Sequence, residues 1–355
     1  MIKEICKSDL KSRLLKKDKP VILYGMGNGA DMIIEELEKM NIEFSDVFAS
    51  DDFVRGQFFH GKKVLTLSQI EEKYEDFLIL MTFAVHDDKT IDFVKNLSLK
   101  YEVYSPTVPV VSGKGLFTLD FYNEHEKEFE KAFSLLSDEK SRETFINILS
   151  FKLSGKLSFL FNSYSEKSEV YEKLLKLNES ESIVDLGAYD GDTIKEFLAF
   201  TKEKYETITA FEPDEKNFRK LLKNTENLEN ITCLNIGAWD KKETLFFEKK
   251  AGRNSKQSSA GTFPVNFDSV DNVISHKVSF LKMDIEGAEK NALEGAKETI
   301  RRYKPKLYVC AYHRNEDLYE LILKINVLSP DYKIYLRQHK YIPAWECNIY
   351  ACVED

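Results

Sequence analysis

Paired cysteines are missing from this sequence. Its five, Cys6, Cys233, Cys310, Cys347 and Cys352, are odd in number and irregular in spacing. That argues against a disulfide scaffold, and no pair forms a zinc knuckle or a redox CxxC. Reduced thiols in a cytoplasmic protein are the expectation. Long apolar runs are missing too. The longest, Phe77 to Val85 interrupted by Thr82, is well short of the roughly 20 residues that cross a bilayer. The N-terminal stretch MIKEICKSDLKSR has no apolar centre of the kind a secretory signal needs. Positive charge is not in excess either. Against 60 Asp and Glu stand 51 Lys and Arg, a net −9, whereas a general nucleic-acid or anionic-membrane binder carries a basic footprint. The local cluster Lys11, Arg13, Lys16, Lys17 and Lys19 is expected on the solvated face of a helix with Leu10, Leu14 and Leu15 on its apolar side.

What is present is ordinary globular material. The chain has 355 residues, 43% hydrophobic and 31% charged, enough for about two domains. The first hundred residues alternate short apolar runs with helical periodicity. Strands are predicted at Val21–Tyr24, Phe44–Ala49, Phe77–Phe83 and Tyr101–Tyr104. Helices are predicted from Asp31, over Ser68–Tyr74 and over Ile91–Leu97. Strands spaced by helices imply a parallel sheet. A Pro/Gly/Ser-rich linker follows near residues 105–115, then a helical segment over 120–155. A second α/β series has strands at Ser182–Leu186, Ile208–Phe211, Ile231–Ile236, Val278–Met283 and Leu307–Ala311. Two late runs, Tyr332–Leu336 and Asn348–Val353, read as an antiparallel hairpin at its edge.

The chemistry-bearing motifs concentrate in this second series. In VDLGAYDGDT, residues 184–193, an apolar strand runs into a glycine-rich turn and then a helix. Glycine serves where a ligand must approach the backbone, and Asp185 either orients the turn or meets a cationic ligand group. The next strand ends in AFEPD, placing Glu212 one βαβ step beyond Gly187. An acid there accepts ribose hydroxyls in nucleotide-binding α/β folds, or else is a solvated strand end. KMDIEGAE puts Asp284 and Glu286 at a third strand end, and AYH puts His313 at a fourth. In open α/β sheets ligands bind at those ends, where an imidazole suits proton transfer.

These motifs, with NIGAWD at residues 235–240, resemble in order and spacing the FkbM family of S-adenosylmethionine-dependent methyltransferases, over roughly residues 165–355. The resemblance implies an α/β fold of the class I methyltransferase type, a Rossmann-like seven-stranded sheet whose last strand is antiparallel. Here it is preceded by a smaller Rossmann-like α/β domain and a helical linker. The expected divisions are 1–110, 111–165 and 166–355. The resemblance further implies S-adenosyl-L-methionine as cofactor and a hydroxyl acceptor on a saccharide or other small molecule. By position, Asp185, Gly187, Ala188, Tyr189, Asp190 and Gly191 would hold the methionine moiety and nucleoside, and Glu212 the ribose. Gly237, Ala238 and Trp239 would lie beside the adenine, although Trp239 also suits core packing. Asp284 would line the methyl-transfer face, with Glu286 and His313 close by as catalytic candidates. A base must take the acceptor's proton, and Asp284 and His313 are the choices. Bland roles stay open: His313 as a structural histidine, Glu286 as a carboxylate favoured by a helix N-terminus. Asp284, Glu286 and His313 are also types a hard cation accepts, but no tighter ligand spacing supports one, and no metal is expected. The polar stretch Ala251–Pro264 reads as a mobile lid or a plain surface loop.

Near the N-terminus, Gly25, Gly27 and Ala30 fit G-x-G-x-x-A between a strand and a helix, with Asp51 at the end of the next strand. That is the context of a dinucleotide turn. The segment, roughly residues 18–105, also looks like the small Rossmann-like domains that precede some sugar-modifying enzymes. A nucleotide-linked or sugar-like ligand is preferred to a redox dinucleotide, and a domain used only for docking or dimerisation is the plain alternative. An NAD-linked oxidoreductase, a nucleotide-sugar-binding module and a non-catalytic methyltransferase-fold protein remain the competing functions. Expected partners are the acceptor molecule alone, with no nucleic acid and no membrane span; a homo-oligomer is compatible with the sequence.

Overall fold

The computed structural model describes residues 2, 4–108, 115–248, 256–257 and 263–354. Its first sheet has strands β1 (Val21–Tyr24), β2 (Asp46–Phe48), β3 (Phe58–Phe59), β4 (Lys62–Leu65), β5 (Leu78–Met81) and β6 (Glu102–Tyr104), in the order β3-β4-β2-β1-β5-β6. All neighbours are parallel except β3 and β4. Both faces of such a sheet are covered, which is why its central strands are uninterrupted apolar runs; β1 and β5 are buried throughout. Helix Asn28–Lys39 buries Ala30, Ile33, Ile34 and Leu37. It starts three residues before the apolar periodicity does, because the glycine turn itself supplies its first turn. The short β3–β4 hairpin was not expected. Two residues of strand carry no legible alternation, and the turn rests on His60 and Gly61, both at positive φ.

The helical segment comprises Leu119–Glu124, Glu126–Ser134, Glu139–Ser154 and Leu157–Phe161. Helix Glu139–Ser154 is capped by Asp138, whose carboxylate accepts the Ser141 N–H at 2.8 Å, and it stops at Gly155 in the left-handed conformation. Of the expected linker, residues 109–114 lie outside the described residues.

The second unit is built on β7 (Ser182–Leu186), β8 (Thr207–Phe211), β9 (Ile231–Leu234), β10 (Gly237–Ala238), β11 (Glu243–Glu248), β12 (Lys256–Gln257), β13 (Phe263–Asp268), β14 (Phe280–Met283), β15 (Lys306–Cys310), β16 (Lys333–Gln338) and β17 (Cys347–Cys352). Seven of them form one sheet in the order β16-β17-β15-β14-β7-β8-β9. β17 is antiparallel to both of its neighbours, as the late hairpin predicted. The other four form a small sheet, β10-β13-β11-β12, that the sequence reading missed. Within the stretch expected as lid or loop, Lys256, Gln257, Phe263 and Pro264 belong to strands. Residues 251–255 and 258–262 lie outside the described residues.

The parts are locked together. Arg337, 1% exposed on β16, holds Asp138 at 2.6 Å and Ser141 at 2.7 Å. Val85 and Ile342 exchange two backbone hydrogen bonds of 2.8 Å, joining the segment after β5 to the β16–β17 loop. His86 stacks on Tyr341 there. β16 runs parallel to β15, so this loop lies on the same edge as the C-terminal ends of β7, β8, β14 and β15. No helix among the described residues is long and apolar enough to cross a membrane. The N-terminal basic cluster is partly spent on ion pairs, Arg13 with Glu102 and Asp18, and Lys19 with Asp76. Leu15, expected on the apolar side, is 47% exposed.

Candidate functional site

The site lies where β7, β8, β14 and β15 end. After β7 the chain turns through Gly187, Ala188, Tyr189, Asp190 and Gly191 into helix Asp192–Phe200. Gly187, Tyr189 and Gly191 all have positive φ. The amides of Gly187 and Ala188 both donate to the Phe211 carbonyl, at 3.0 and 2.9 Å. The reason for Gly187 is internal rather than a ligand's approach: a Cβ there would sit 1.9 Å from the Asp284 carbonyl oxygen. Ala188 is buried, while the Tyr189 ring is 41% exposed, with the Lys220 ammonium over it. The Asp190 carbonyl accepts from Asn224 at 2.7 Å.

Asp185, expected to touch cofactor, is 0% exposed. Its neighbour across the strands is Lys282 on β14, equally buried, with 3.1 Å between Nζ and Oδ1. The same ammonium donates to the Gly187 carbonyl at 2.9 Å. Burial pushes the Asp185 carboxyl up against the pull of Lys282. Burial also pushes the ammonium down, but Asp185 and Asp284 outweigh it and keep it charged. Asp185 is thus a brace for the glycine turn, of the two roles open to it. Lys282, which the sequence reading left without a role, does have a sequence signal: one lysine in an otherwise apolar buried strand.

Glu212 ends β8 and is 6% exposed. Its Oε2 accepts the Tyr189 N–H at 2.9 Å and its Oε1 the Asp214 N–H at 2.8 Å. A carboxylate offers about four lone-pair positions, so each oxygen keeps one for a ligand. Burial pushes this carboxyl up to about 7, with the Asp214 and Tyr189 amides pulling the other way. Gly237, Ala238 and Trp239 follow β9. Gly237 and Ala238 pair with β13, and a Cβ on Gly237 would lie 2.3 Å from the Phe267 ring. Trp239 packs edge-on to Phe267, and its carbonyl sits where a Cβ on Gly295 would go. These three residues are engaged in packing, the plainer role left open for Trp239.

Asp284, Glu286 and His313 do come together. His313 is 1% exposed, with Nε2 3.4 Å from Asp284 Oδ1 and 3.7 Å from Glu286 Oε2. Tyr312 donates to Asp284 Oδ1 at 3.1 Å. On the buried side, His313 Nδ1 lies 3.0 Å from Glu289 Oε1, without the alignment of a hydrogen bond. Glu289, 1% exposed, was quoted in the motif but given no role. Its Oε1 accepts the Ile285 and Gly287 amides, at 3.0 and 3.3 Å. Burial pulls the His313 ring down, but Glu289, Asp284 and Glu286 together push it up to about 10. The carboxylates around that ring favour its protonated form, which leaves the free basic lone pairs of this cluster on Asp284. Burial pushes the Asp284 carboxyl up, but Lys282, His313 and Tyr312 bring it below its ordinary value. It is ionised, and its side chain is 35% exposed to the mouth.

In the first sheet, the expected turn residues occupy the β1 end. Gly25 has φ +104°, and a Cβ there would lie 2.5 Å from the Phe83 ring. Gly27 has φ +102° and faces open space. Ala30 is fully buried, and Asp51 opens an exposed helical turn, Asp51–Phe53. Gly29, not singled out before, lies where a Cβ would be 2.1 Å from the Thr82 carbonyl oxygen. Two of these glycines thus have packing reasons, and Gly27 alone is open.

Residues 185–342 match the Methyltransferase FkbM domain. A solved structure titled Methyltransferase FkbM, from Methylobacillus flagellatus KT, is similar over 99% of this chain and 94% of its own, at 22% identity and a TM-score of 0.75. At that identity the likeness concerns the fold, and it takes in the first sheet as well as the second. An rRNA methylase from Streptococcus thermophilus covers 50% of this chain and 90% of its own, at 14% identity and a TM-score of 0.34. No curated protein matches. The sheet order, the turn after β7 and the motif match agree: residues 185–342 of this chain are an FkbM methyltransferase domain.

Proposed function

We propose that the protein is an S-adenosylmethionine-dependent O-methyltransferase acting on a hydroxyl of a saccharide or other small molecule. The observation that carries the cofactor reading is the half-satisfied carboxylate of Glu212. It is buried, fixed by two backbone amides, and left with acceptor positions suited to a pair of ribose hydroxyls. The turn Gly187–Gly191 and the exposed Tyr189 ring complete a cradle of the right chemical type. When bound, the cofactor supplies a methyl group already activated on a sulfonium. The chain's own task is then to orient the acceptor, exclude water and manage one proton.

Asp284 is the group for that proton. It is ionised and open to the mouth, and Tyr312 and the His313 ring hold it in place. An acceptor hydroxyl that gives its proton to Asp284 gains the nucleophilic oxygen that a displacement at an activated methyl requires. The small-molecule class of acceptor rests on the acidic balance of the chain and on this carboxylate-rich mouth, both unfavourable to polyanions.

Calorimetry with S-adenosylhomocysteine tests the cofactor half: saturable binding by wild type that falls sharply in Glu212→Ala supports it, and no binding by wild type removes it. Transfer of labelled methyl from the donor to a panel of saccharides and small hydroxylated acceptors tests the rest. Labelling that disappears in Asp284→Asn is the expected result. Binding without transfer to any acceptor would leave a non-catalytic methyltransferase-fold protein.

A further inference from the structure

Charge around the imidazole at the β15 end is not balanced. Three carboxylates, those of Asp284, Glu286 and Glu289, face the single ring of His313. The Lys282 ammonium, which acts on Asp284, is already paired with Asp185. One buried oxygen of this cluster, Glu289 Oε2, has no hydrogen-bond partner among the described residues, on a side chain 1% exposed. An unsatisfied buried polar atom is costly, more so when charged, so a fold keeps such atoms where something else satisfies them.

We propose that Asp284, Glu289 and His313 form a binding site for one divalent cation at the mouth of the second sheet. One donor atom from each lies within 4.8 Å of the others. Around an ion with bonds of about 2.0–2.2 Å, donors stand roughly 3–4.4 Å apart, so inward shifts of a few tenths of an ångström complete the set. The 3.4 Å between His313 Nε2 and Asp284 Oδ1 already has that spacing. Glu286, at 3.7 Å from the same nitrogen and exposed, is placed to add an outer carboxylate. Two carboxylates and one imidazole, whose proton the ion displaces to solvent on binding, suit manganese, magnesium or zinc rather than a soft ion. The ligands come from two strand ends and one helix start: Asp284 directly after β14, His313 three residues after β15, and Glu289 at the start of helix Glu289–Gly295. Glu289 is further held by the Ile285 and Gly287 amides. The site therefore exists without substrate, and its cation would face a hydroxylated acceptor as a Lewis acid. Cation binding itself does not depend on the methyltransferase reading.

The test uses the full chain, stripped with a chelator and titrated with Mn2+, following loss of the free-ion electron paramagnetic resonance signal. S-adenosylhomocysteine binding is measured by calorimetry on the same sample. One Mn2+ per chain is expected, displaced by Mg2+ or Zn2+. Affinity should fall at least tenfold in Asp284→Asn and in Glu289→Gln, variants chosen because each keeps an oxygen acceptor at the same place. Circular dichroism and the thermal midpoint confirm that each is folded. If Glu289→Gln does not fold, Asp284→Asn, at the more exposed position, decides alone. Absence of saturable Mn2+ binding, or binding unchanged in the folded variants, overturns the proposal. Homocysteine-cofactor binding without Mn2+ binding defeats the cation site and leaves the methyltransferase reading standing; Mn2+ binding without it does the reverse.

Discussion

Glu212 offers the sharpest quantitative test, because its burial and its ligand role pull its ionisation in opposite directions. The free protein holds this carboxyl at about 7, against an ordinary value of 4.5. Burial and the Asp214 carboxylate oppose the charged form, while the Asp214 and Tyr189 amides and the Lys282 ammonium favour it. A ribose diol donates to the carboxylate, so it binds the ionised form. With a pKa near 7, the ionised fraction is roughly 0.09 at pH 6 and roughly 0.9 at pH 8, so affinity for S-adenosylhomocysteine should rise about tenfold between them, or about 1.4 kcal/mol. Binding at pH 6 should also release close to one proton, visible as a dependence of the calorimetric heat on buffer ionisation enthalpy. Glu212→Gln should flatten the profile and, by turning an amide NH2 toward one backbone N–H, cost stability of about 1–3 kcal/mol. Glu212→Ala removes two charge-assisted bonds of about 1.5–3 kcal/mol each, a loss of roughly 10²- to 10⁴-fold in affinity. Linkage gives the free protein the opposite trend. A carboxyl raised on folding is protonated in the native state while the unfolded chain has lost its proton. Its contribution to stability is therefore present below about 4.5 and lost as pH rises toward 7. A wild-type affinity that is flat from pH 6 to pH 8, with no proton release, would refute the placing of the ribose on Glu212.

Other outcomes follow from the same geometry. Lys282→Met strands the fully buried Asp185 and should cost about 3–5 kcal/mol in chemical denaturation; the double variant with Asp185→Leu should recover most of it, and a single-variant loss under about 1 kcal/mol would contradict the bracing role. Gly187→Ala must move either the turn or the β14 end, since its Cβ would lie 1.9 Å from the Asp284 oxygen; cofactor-product binding should be lost in a protein that is still folded, and unchanged binding would show that the two segments separate easily. Arg337→Met should loosen helix Glu139–Ser154 from β16, leaving Asp138 without its 2.6 Å partner, and amide exchange in that helix should quicken; no change in exchange would mean that apolar packing alone docks it.

The fold was legible wherever burial imposes a pattern. Parallel strands buried on both faces read as apolar runs, and β1 stood in the sequence with the boundaries the structure shows, Val21–Tyr24. The late hairpin, β16 and β17, was legible for the same reason. The β3–β4 hairpin and the small sheet of β10–β13 were not: β3 and β10 have two residues each, and β11 and β13 are half-exposed where their side chains are described, so none of them leaves an uninterrupted apolar run. The site divides along a related line. Residues that end strands in a recognisable motif, such as Glu212, Asp284 and His313, were picked out and do meet at one mouth. Their partners were not. Lys282 acquires its role only through the register that sets it beside Asp185. Glu289 acquires its role only because the turn after Asp284 brings two amides and the His313 ring onto one carboxylate. Motif reading ranks residues by type and order, and so it left Asp185 between bracing the turn and meeting a ligand, and His313 between moving a proton and a structural role. The structure sorts them by what they can reach. Asp185 is paired with Lys282, whose ammonium also holds the Gly187 carbonyl, whereas His313 stands among three carboxylates, where a proton or a cation, but not an empty lone pair at neutral pH, satisfies the charge.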